Sequence, residues 1–354
     1  MLGTLLLKPM QTKILYPDPE AYALASDLLN RGQLVAFPTE TVYGLGANAL
    51  DRNAVLSIFA AKGRPADNPL IVHIYDQAQL SDLCTVSPLA RPLMDAFWPG
   101  PLTMLFIRKP AVPPEVTAGL PTVAIRMPSH PVAAEMLKTC GLPIAAPSAN
   151  SSGRPSPTTA AHVLEDLNGK VPLILDGGAC DVGLESTVLD LCHDQPTILR
   201  PGGVTKEMLE SVLGREVLLA GSILRPLAEN EVALSPGMRY KHYAPKGTVT
   251  LIEGPEERTV PLLRRLCLEQ KQAGKKACVL CFTEHLGALS DCDPHDIGSV
   301  SSPDEIAHRL FDTLRRLDEE GMEIVFSEVI PPEGMGLAVM NRLGRAAAFR
   351  IIDA

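Results

Sequence analysis

Short apolar runs that stop at a proline or glycine and open into hydroxyl-rich loops recur along this chain. Gln33-Leu34-Val35-Ala36-Phe37 halts at Pro38 and leads into Thr39-Glu40-Thr41. Leu70 to Ile74, Thr122 to Arg126, Ile144 to Ala146, Leu173 to Leu175, Ser186 to Asp190 and Thr197 to Arg200 follow the same pattern. Runs of this length bounded by turn residues read as buried strands. Between them lie helical periodicities over residues 20–31, 51–61, 90–97 and 131–140, the second capped by Asp51. Strands alternating with helices predict an α/β chain, an open twisted sheet with flanking helices. In such sheets ligands sit at the loops leaving the carboxyl ends of the strands.

One of those loops is denser in chemistry than the rest. After Ile144-Ala145-Ala146 and Pro147 come Ser148, Asn150, Ser151, Ser152 and Ser156, with Arg154 among them. Small side chains let backbone N–H groups approach an anion, and the hydroxyls and amide add donors without a fixed charge. Upstream, Lys62-Gly63-Arg64-Pro65 places two cations two residues apart in a Gly/Pro loop, where a polyphosphate is the natural partner. The alternative is a solvated pair of surface charges. Arg126 ends its strand as a guanidinium suited to a small carboxylate, or to a structural Asp or Glu. His73 falls inside an apolar alternation, where a histidine is commonly a satisfied core residue.

Composition narrows what such a pocket serves. The 354 residues are long enough for two domains, and 46% hydrophobic with 21% charged describes a soluble globular protein. A net charge of −9 and only 4% aromatic residues argue against a phosphate-backbone interface or a base-stacking platform. Leu5-Leu6-Leu7 is too short for a signal-peptide core and no run reaches membrane-spanning length, so the expected compartment is the cytoplasm and no membrane partner is expected. Eight irregularly spaced cysteines suggest reduced thiols. Cys278, Cys281, Cys292 and His295 have zinc-ligand spacing, yet Cys278 and Cys281 lie in a strand-like run and should point to opposite faces. No metal ligands are assigned.

The chain divides on this pattern into three segments: a first α/β domain over 1–213, a linker or lid over 214–247, and a smaller Rossmann-like α/β domain over 248–354. Strands at 248–252, 277–282 and 323–330 alternate in the last with helices near 257–273, 304–320 and 336–349. It lacks Gly-x-Gly-x-x-Gly, and the whole chain lacks the P-loop, His-Glu-x-x-His and Gly-x-Ser-x-Gly signatures. The linker carries Ser235-Pro236-Gly237-Met238-Arg239-Tyr240-Lys241-His242-Tyr243-Ala244-Pro245, too rich in aromatic and cationic groups for a mere tether.

Five motifs in order, Phe37 to Gly46, Lys62-Gly63-Arg64-Pro65, Asn68-Pro69-Leu70, Trp98-Pro99-Gly100-Pro101 and Ala146-Pro147-Ser148-Ala149-Asn150, resemble the YrdC-type threonylcarbamoyl-AMP synthases. The linker motif and the domain after it resemble the family's two-domain members. The resemblance implies a YrdC-like first domain and a nucleotidyltransferase that makes L-threonylcarbamoyladenylate and pyrophosphate from L-threonine, bicarbonate and ATP. Its product would pass to a tRNA threonylcarbamoyl-transferase complex that modifies the adenosine beside the anticodon, without this chain gripping tRNA itself. Magnesium is expected with ATP, and no organic cofactor. Pocket chemistry and resemblance together give Lys62 and Arg64 the charge-neutralising, catalytic role. Thr41, His73, Arg126, Ser148 and Ser186 are expected around threonine. Lys62, Arg64, Asn68, Thr122, Ser148, Asn150, Ser156, Arg200 and Tyr243 are expected around ATP, with Tyr240 a weaker choice than Tyr243. Two other classes share the first-domain pattern: a carbamoyl transferase of the hydrogenase-maturation kind, and a non-enzymatic RNA-binding module.

Overall fold

The computed structural model describes residues 10–225 and 243–354. Most of the expected runs join a 12-stranded sheet. From one edge the order is Lys13–Leu15, Leu173–Leu175, Val35–Phe37, Gly44–Asn48, Ile144–Ala145, Ile71–His73, Thr122–Arg126, Leu102–Arg108, Thr187–Asp190, Thr197–Arg200 and Leu218–Leu219. Cys84–Thr85 pairs with Leu102–Arg108 beside this path. Parallel and antiparallel pairs mix, and the register matters for the site. Ile71–His73 runs parallel to Thr122–Arg126 with His73 opposite Arg126, while Thr103 faces Arg126 from the antiparallel side. Paired residues share a face, so these three side chains meet at one end of the sheet.

Two helices, Pro19–Asn30 and Pro131–Cys140, cover one face through Ala25, Leu29, Val132, Met136 and Leu137 against Val35 and Phe37. Arg52–Lys62 covers the other through Val55 and Ile58 against Leu45 and Val72. Its start is capped as expected, with the Asp51 carboxylate accepting from the Asn53 and Ala54 amides.

Gly44–Asn48, which takes in the end of the glycine-containing motif that starts at Phe37, is itself a strand. It is a strand because Gly46 has no side chain: a Cβ there would lie 2.8 Å from Phe37 Cε1 and 2.9 Å from Ile144 Cγ2. Leu218–Leu219 differs from expectation, pairing in parallel with Thr197–Ile198 inside the range expected as linker. The first sheet therefore runs past 213. Both residues are exposed at the sheet edge, so no buried apolar run marks them. Tyr240 and most of the linker motif lie outside the described residues.

The second domain is a five-stranded, wholly parallel sheet ordered Pro294–Asp296, Ala277–Cys281, Ile324–Glu328, Thr248–Glu253, Ile351–Asp353. Helices Glu256–Gln272, Pro303–Glu319 and Met335–Ala346 flank it. Cys278 packs in the apolar cluster with Val249 and Leu310, whereas Cys281 and Cys292 pack with Cys267 on the other side. His295 faces Glu320, its Nε2 3.3 Å from the carboxylate. The four zinc-spaced residues thus do not converge. No helix among the described residues is long and apolar enough to cross a membrane.

The domains share an apolar seam, in which Val42 and Leu184 of the first join the core of the second. Two fully buried arginines of the second domain, Arg315 and Arg342, cross the same boundary.

Candidate active site

The strand ends converge on a cleft of about 640 Å3, partly open to solvent. Its wall carries four arginines (Arg64, Arg126, Arg154 and Arg200), the hydroxyls of Thr39, Thr41, Ser148, Ser156 and Ser186, and the side chains of His73, Asn150, Glu185 and Tyr243.

Thr39 makes the first corner. Its Oγ1 donates to Val42 O at 2.7 Å and accepts from the Thr41 and Val42 amides, turning the chain after Pro38. Arg126 reaches this corner from its strand end, donating from Nη1 to Thr41 Oγ1 at 2.8 Å and from Nε to Gly100 O at 3.2 Å. Its Nη2 lies 2.7 Å from Glu40 Oε1. Burial is the strongest single influence and pushes the Glu40 carboxyl up, but the Arg126 cation, its hydrogen bond and the Glu40 and Ser129 backbone together hold the group below its usual value. Both readings of Arg126 are therefore met: it pairs with a buried carboxylate and it lines the cleft. A guanidinium has five N–H donors. These three directions leave one hydrogen on each Nη for a ligand.

His73 stands next to Arg126 on the cleft wall, edge-on to Phe37 with ring centroids 6.1 Å apart. Its Nδ1 makes no hydrogen bond among the described residues. Burial, then the Arg126 cation, pushes its pKa down to about 3. It is a neutral imidazole facing the cleft, not a satisfied core residue. An unfolded imidazole titrates near about 6.5. The unfolded state thus takes up more protons between these values, and stability falls as pH drops from about 6.5 toward 3. NMR of the imidazole should show His73 neutral throughout pH 5–8. A protonation midpoint inside that range would contradict the placement.

The loop after Ile144–Ala145 is tied internally. Ser148 Oγ donates to Asn150 Oδ1, and Asn150 Nδ2 donates to Ser151 O and Arg154 O, each at 2.9 Å. Lys62 holds it from behind: Nζ donates to Ser148 O, to Asn150 O at 2.6 Å and to Asn150 Oδ1 at 3.2 Å. Those three bonds use all three ammonium hydrogens. Lys62 is buried, and burial followed by the neighbouring Arg64 pushes its pKa well down. The direct ligand contact expected of Lys62 is replaced by support of the Ser148–Asn150 loop, while Arg64 faces the cleft.

Opposite, Ser186 Oγ lies 2.8 Å from Thr103 Oγ1, and Arg200 donates to Ser186 O and Oγ at 3.1 Å each. Gly202 permits this approach, since a Cβ there would sit 2.4 Å from Thr187 N. Burial lowers the Arg200 pKa to about 10, so it stays cationic at neutral pH. Tyr243 is buried on the wall, stacked on Phe311 at 5.1 Å.

Thr41, Arg64, His73, Arg126, Ser148, Asn150, Ser156, Ser186, Arg200 and Tyr243 are thus brought together. Asn68 is fully buried, has no hydrogen-bond partner for either amide atom among the described residues, and does not line the cleft. Thr122 opens the strand that Arg126 ends; it shares Arg126's face four residues away, beyond the cleft wall. Thr39, Arg154 and Glu185 were missed. Thr39 lies inside a recognised motif, Arg154 in the hydroxyl-rich loop just past one, and Glu185 directly precedes Ser186, so nearness to those stretches was the available signal.

The Sua5/YciO/YrdC family, described as "Telomere recombination", matches residues 27–202. The family described as "Threonylcarbamoyl-AMP synthase, C-terminal domain" matches residues 204–348. The threonylcarbamoyl-AMP synthase of Bacillus subtilis is 48% identical over 95% of this chain and 95% of its own. The crystal structure of P. abyssi Sua5 complexed with L-threonine superposes with a TM-score of 0.90 at 44% identity, covering 97% of this chain and 99% of that one. A putative threonylcarbamoyl-AMP synthase of Mycobacterium tuberculosis, 41% identical, covers 56% of this chain and 93% of its own, so it matches as a shorter protein. With both of its domains matched and 95% of its length aligned, this chain belongs to the threonylcarbamoyl-AMP synthase family in its two-domain form.

Proposed function

We propose that the cleft condenses L-threonine, bicarbonate and MgATP into L-threonylcarbamoyladenylate and pyrophosphate. The supporting observation is the convergence of four arginines and a ring of neutral donors on one wall whose single carboxylate, Glu185, is itself paired with an arginine. The amine of threonine and bicarbonate give a carbamate and water. A carbamate oxygen then bonds to the α-phosphorus as the bond to the β-phosphate bridging oxygen breaks and pyrophosphate leaves. The protein's part is positioning and charge neutralisation. Arg126, with Thr41, neutral His73 and Ser186, holds the threonine carboxylate and hydroxyl. Arg64, Arg154 and Arg200 meet the phosphates, with Ser148, Asn150 and Ser156 donating beside them. Lys62 keeps that loop in place, and Tyr243 closes the wall from the linker.

Magnesium arrives on the nucleotide in this reading and keeps phosphate and water oxygens as ligands. Glu40 lies 2.7 Å from Arg126 and Glu185 lies 3.0 Å from Arg342, so neither is a spare carboxylate. Among the described residues no group of three His, Cys, Asp or Glu is placed to hold a metal. The activated product passes to the machinery that modifies tRNA. A chain of net charge −9 has no need to hold tRNA itself.

Mass spectrometry of the reaction tests this. An adenylate containing both threonine and one carbon from labelled bicarbonate should form only with all three substrates, stop with EDTA and resume with magnesium. A threonine adenylate lacking the bicarbonate carbon would overturn the reading.

A further inference from the structure

Arg342 belongs to the helix Met335–Ala346 of the second domain, has no exposed surface, and yet reaches the wall of the cleft. Its Nε donates to Glu185 Oε2 at 3.0 Å and its Nη2 to Glu185 O at 3.2 Å. Nη1 donates to Pro201 O, next to Arg200, and to Asn341 Oδ1 at 3.2 Å. The guanidinium also lies 5.9 Å from the centre of the Tyr243 ring. One side chain thus ties together three parts of the site: the loop before Ser186, the strand end at Arg200, and the chain returning from the linker.

Glu185 is the link to the cleft. It is buried, it lines the wall, and it accepts the Ser156 hydroxyl at Oε1. Burial pushes its carboxyl up, but Arg342, Arg200 and the Ser156 hydroxyl together hold it below its usual value. A buried carboxylate left without its cation would repel a triphosphate and release Ser156 from its place.

We propose that Arg342 is a positioning residue for nucleotide binding, holding and neutralising Glu185 so that Ser156 and Arg200 keep their places on the cleft wall. This rests on the assignment of ATP to the cleft. The second domain then supplies, from behind the wall, a charge that the nucleotide site needs.

Calorimetric titration of the full chain with MgATP and, separately, with L-threonine tests it, alongside the unfolding midpoint. Arg342→Met should weaken MgATP binding at least about tenfold while L-threonine affinity stays within about twofold. Adding Glu185→Gln to that variant should restore most of the MgATP affinity, because the amide oxygen still accepts from Ser156 and no carboxylate remains. A general loosening of the fold would weaken both ligands and would not be rescued. Unchanged MgATP affinity in Arg342→Met, equal loss for both ligands, or no rescue by Glu185→Gln each overturns the proposal. Should Arg342→Met not fold, Arg342→Gln decides: it keeps a polar donor but loses the charge, and MgATP affinity equal to the parent's would overturn the role. A parent protein that binds L-threonine but no MgATP would instead overturn the ATP assignment itself, a result distinct from unaffected variants of an ATP-binding parent.

Discussion

Arg64→Ala is expected to lose about 100- to 1,000-fold of the pyrophosphate release that depends on threonine and bicarbonate, the range seen when one preorganised charge-stabilising donor is removed. The fold should survive, because Arg64 is only partly buried and lies in the loop after the helix Arg52–Lys62. Charge builds on the phosphates as pyrophosphate departs, and the three other arginines of the wall sit on different segments. Arg64→Lys should recover part of the rate, since it restores the charge without the planar fork. Steady-state assays with an unchanged circular-dichroism melt are the check. A variant that keeps more than about a third of the parent rate would remove Arg64 from the reaction and leave the charge with Arg154 and Arg200.

Asp166→Ala should be the most damaging single change to stability, by about 3–5 kcal/mol, the range for breaking a buried ion pair from one side. The Asp166 side chain is fully buried and accepts from Arg315 Nη2 at 2.9 Å, from Arg154 Nη1 and from the Ser151 amide at 3.1 Å. Arg315 comes from the second domain, is itself fully buried, and also donates to Pro155 O at 2.7 Å. Removing the carboxylate takes from Arg315, wholly out of water, and from Arg154 their buried partner, leaves Glu165 at the protein surface as their nearest carboxylate, and frees the Ser151 amide of the Ser148–Pro157 loop. By contrast, removing the exposed pair Arg264–Asp291, with side chains 54% and 41% accessible, should leave the transition where it was, because solvent screens it. The first transition of a urea titration on the full chain measures both. A loss below about 1 kcal/mol for Asp166→Ala would mean that water reaches the junction.

Together with Arg342, this pair changes how the second domain is understood. Its residues showed no catalytic pattern in the sequence. Arg315 and Arg342 instead brace the two loops that carry Ser148 to Ser156 and Glu185 to Arg200.

Much of the cleft was legible residue by residue because its chemistry is local. Each strand end carries its own punctuation, Pro38, Pro147 or Gly202, and its own donors within a few positions, so motif and loop coincide. Strand and helix alternation likewise located most elements of both sheets, with element ends off by up to three residues where periods fade and the first sheet extending to Leu219, past the expected 213. The short strands Lys13–Leu15, Pro294–Asp296 and Leu218–Leu219 escaped because, unlike the equally short Leu173–Leu175, they are edge segments without a buried apolar run.

What one dimension could determine was which residue types lie at strand ends, and hence that arginines and hydroxyls would line a cleft suited to anionic ligands. Only three dimensions decided which way each of them points. Lys62 and Arg64 sit two apart in the chain, yet helix geometry and burial send one behind a loop and the other into the cleft. His73 stands on the cleft wall because its register partner is Arg126, and Glu185 keeps its charge because an arginine more than 150 residues away lies 3.0 Å from it. Orientation and desolvation belong to pairs of residues brought together by folding, and neither is a property of any residue alone.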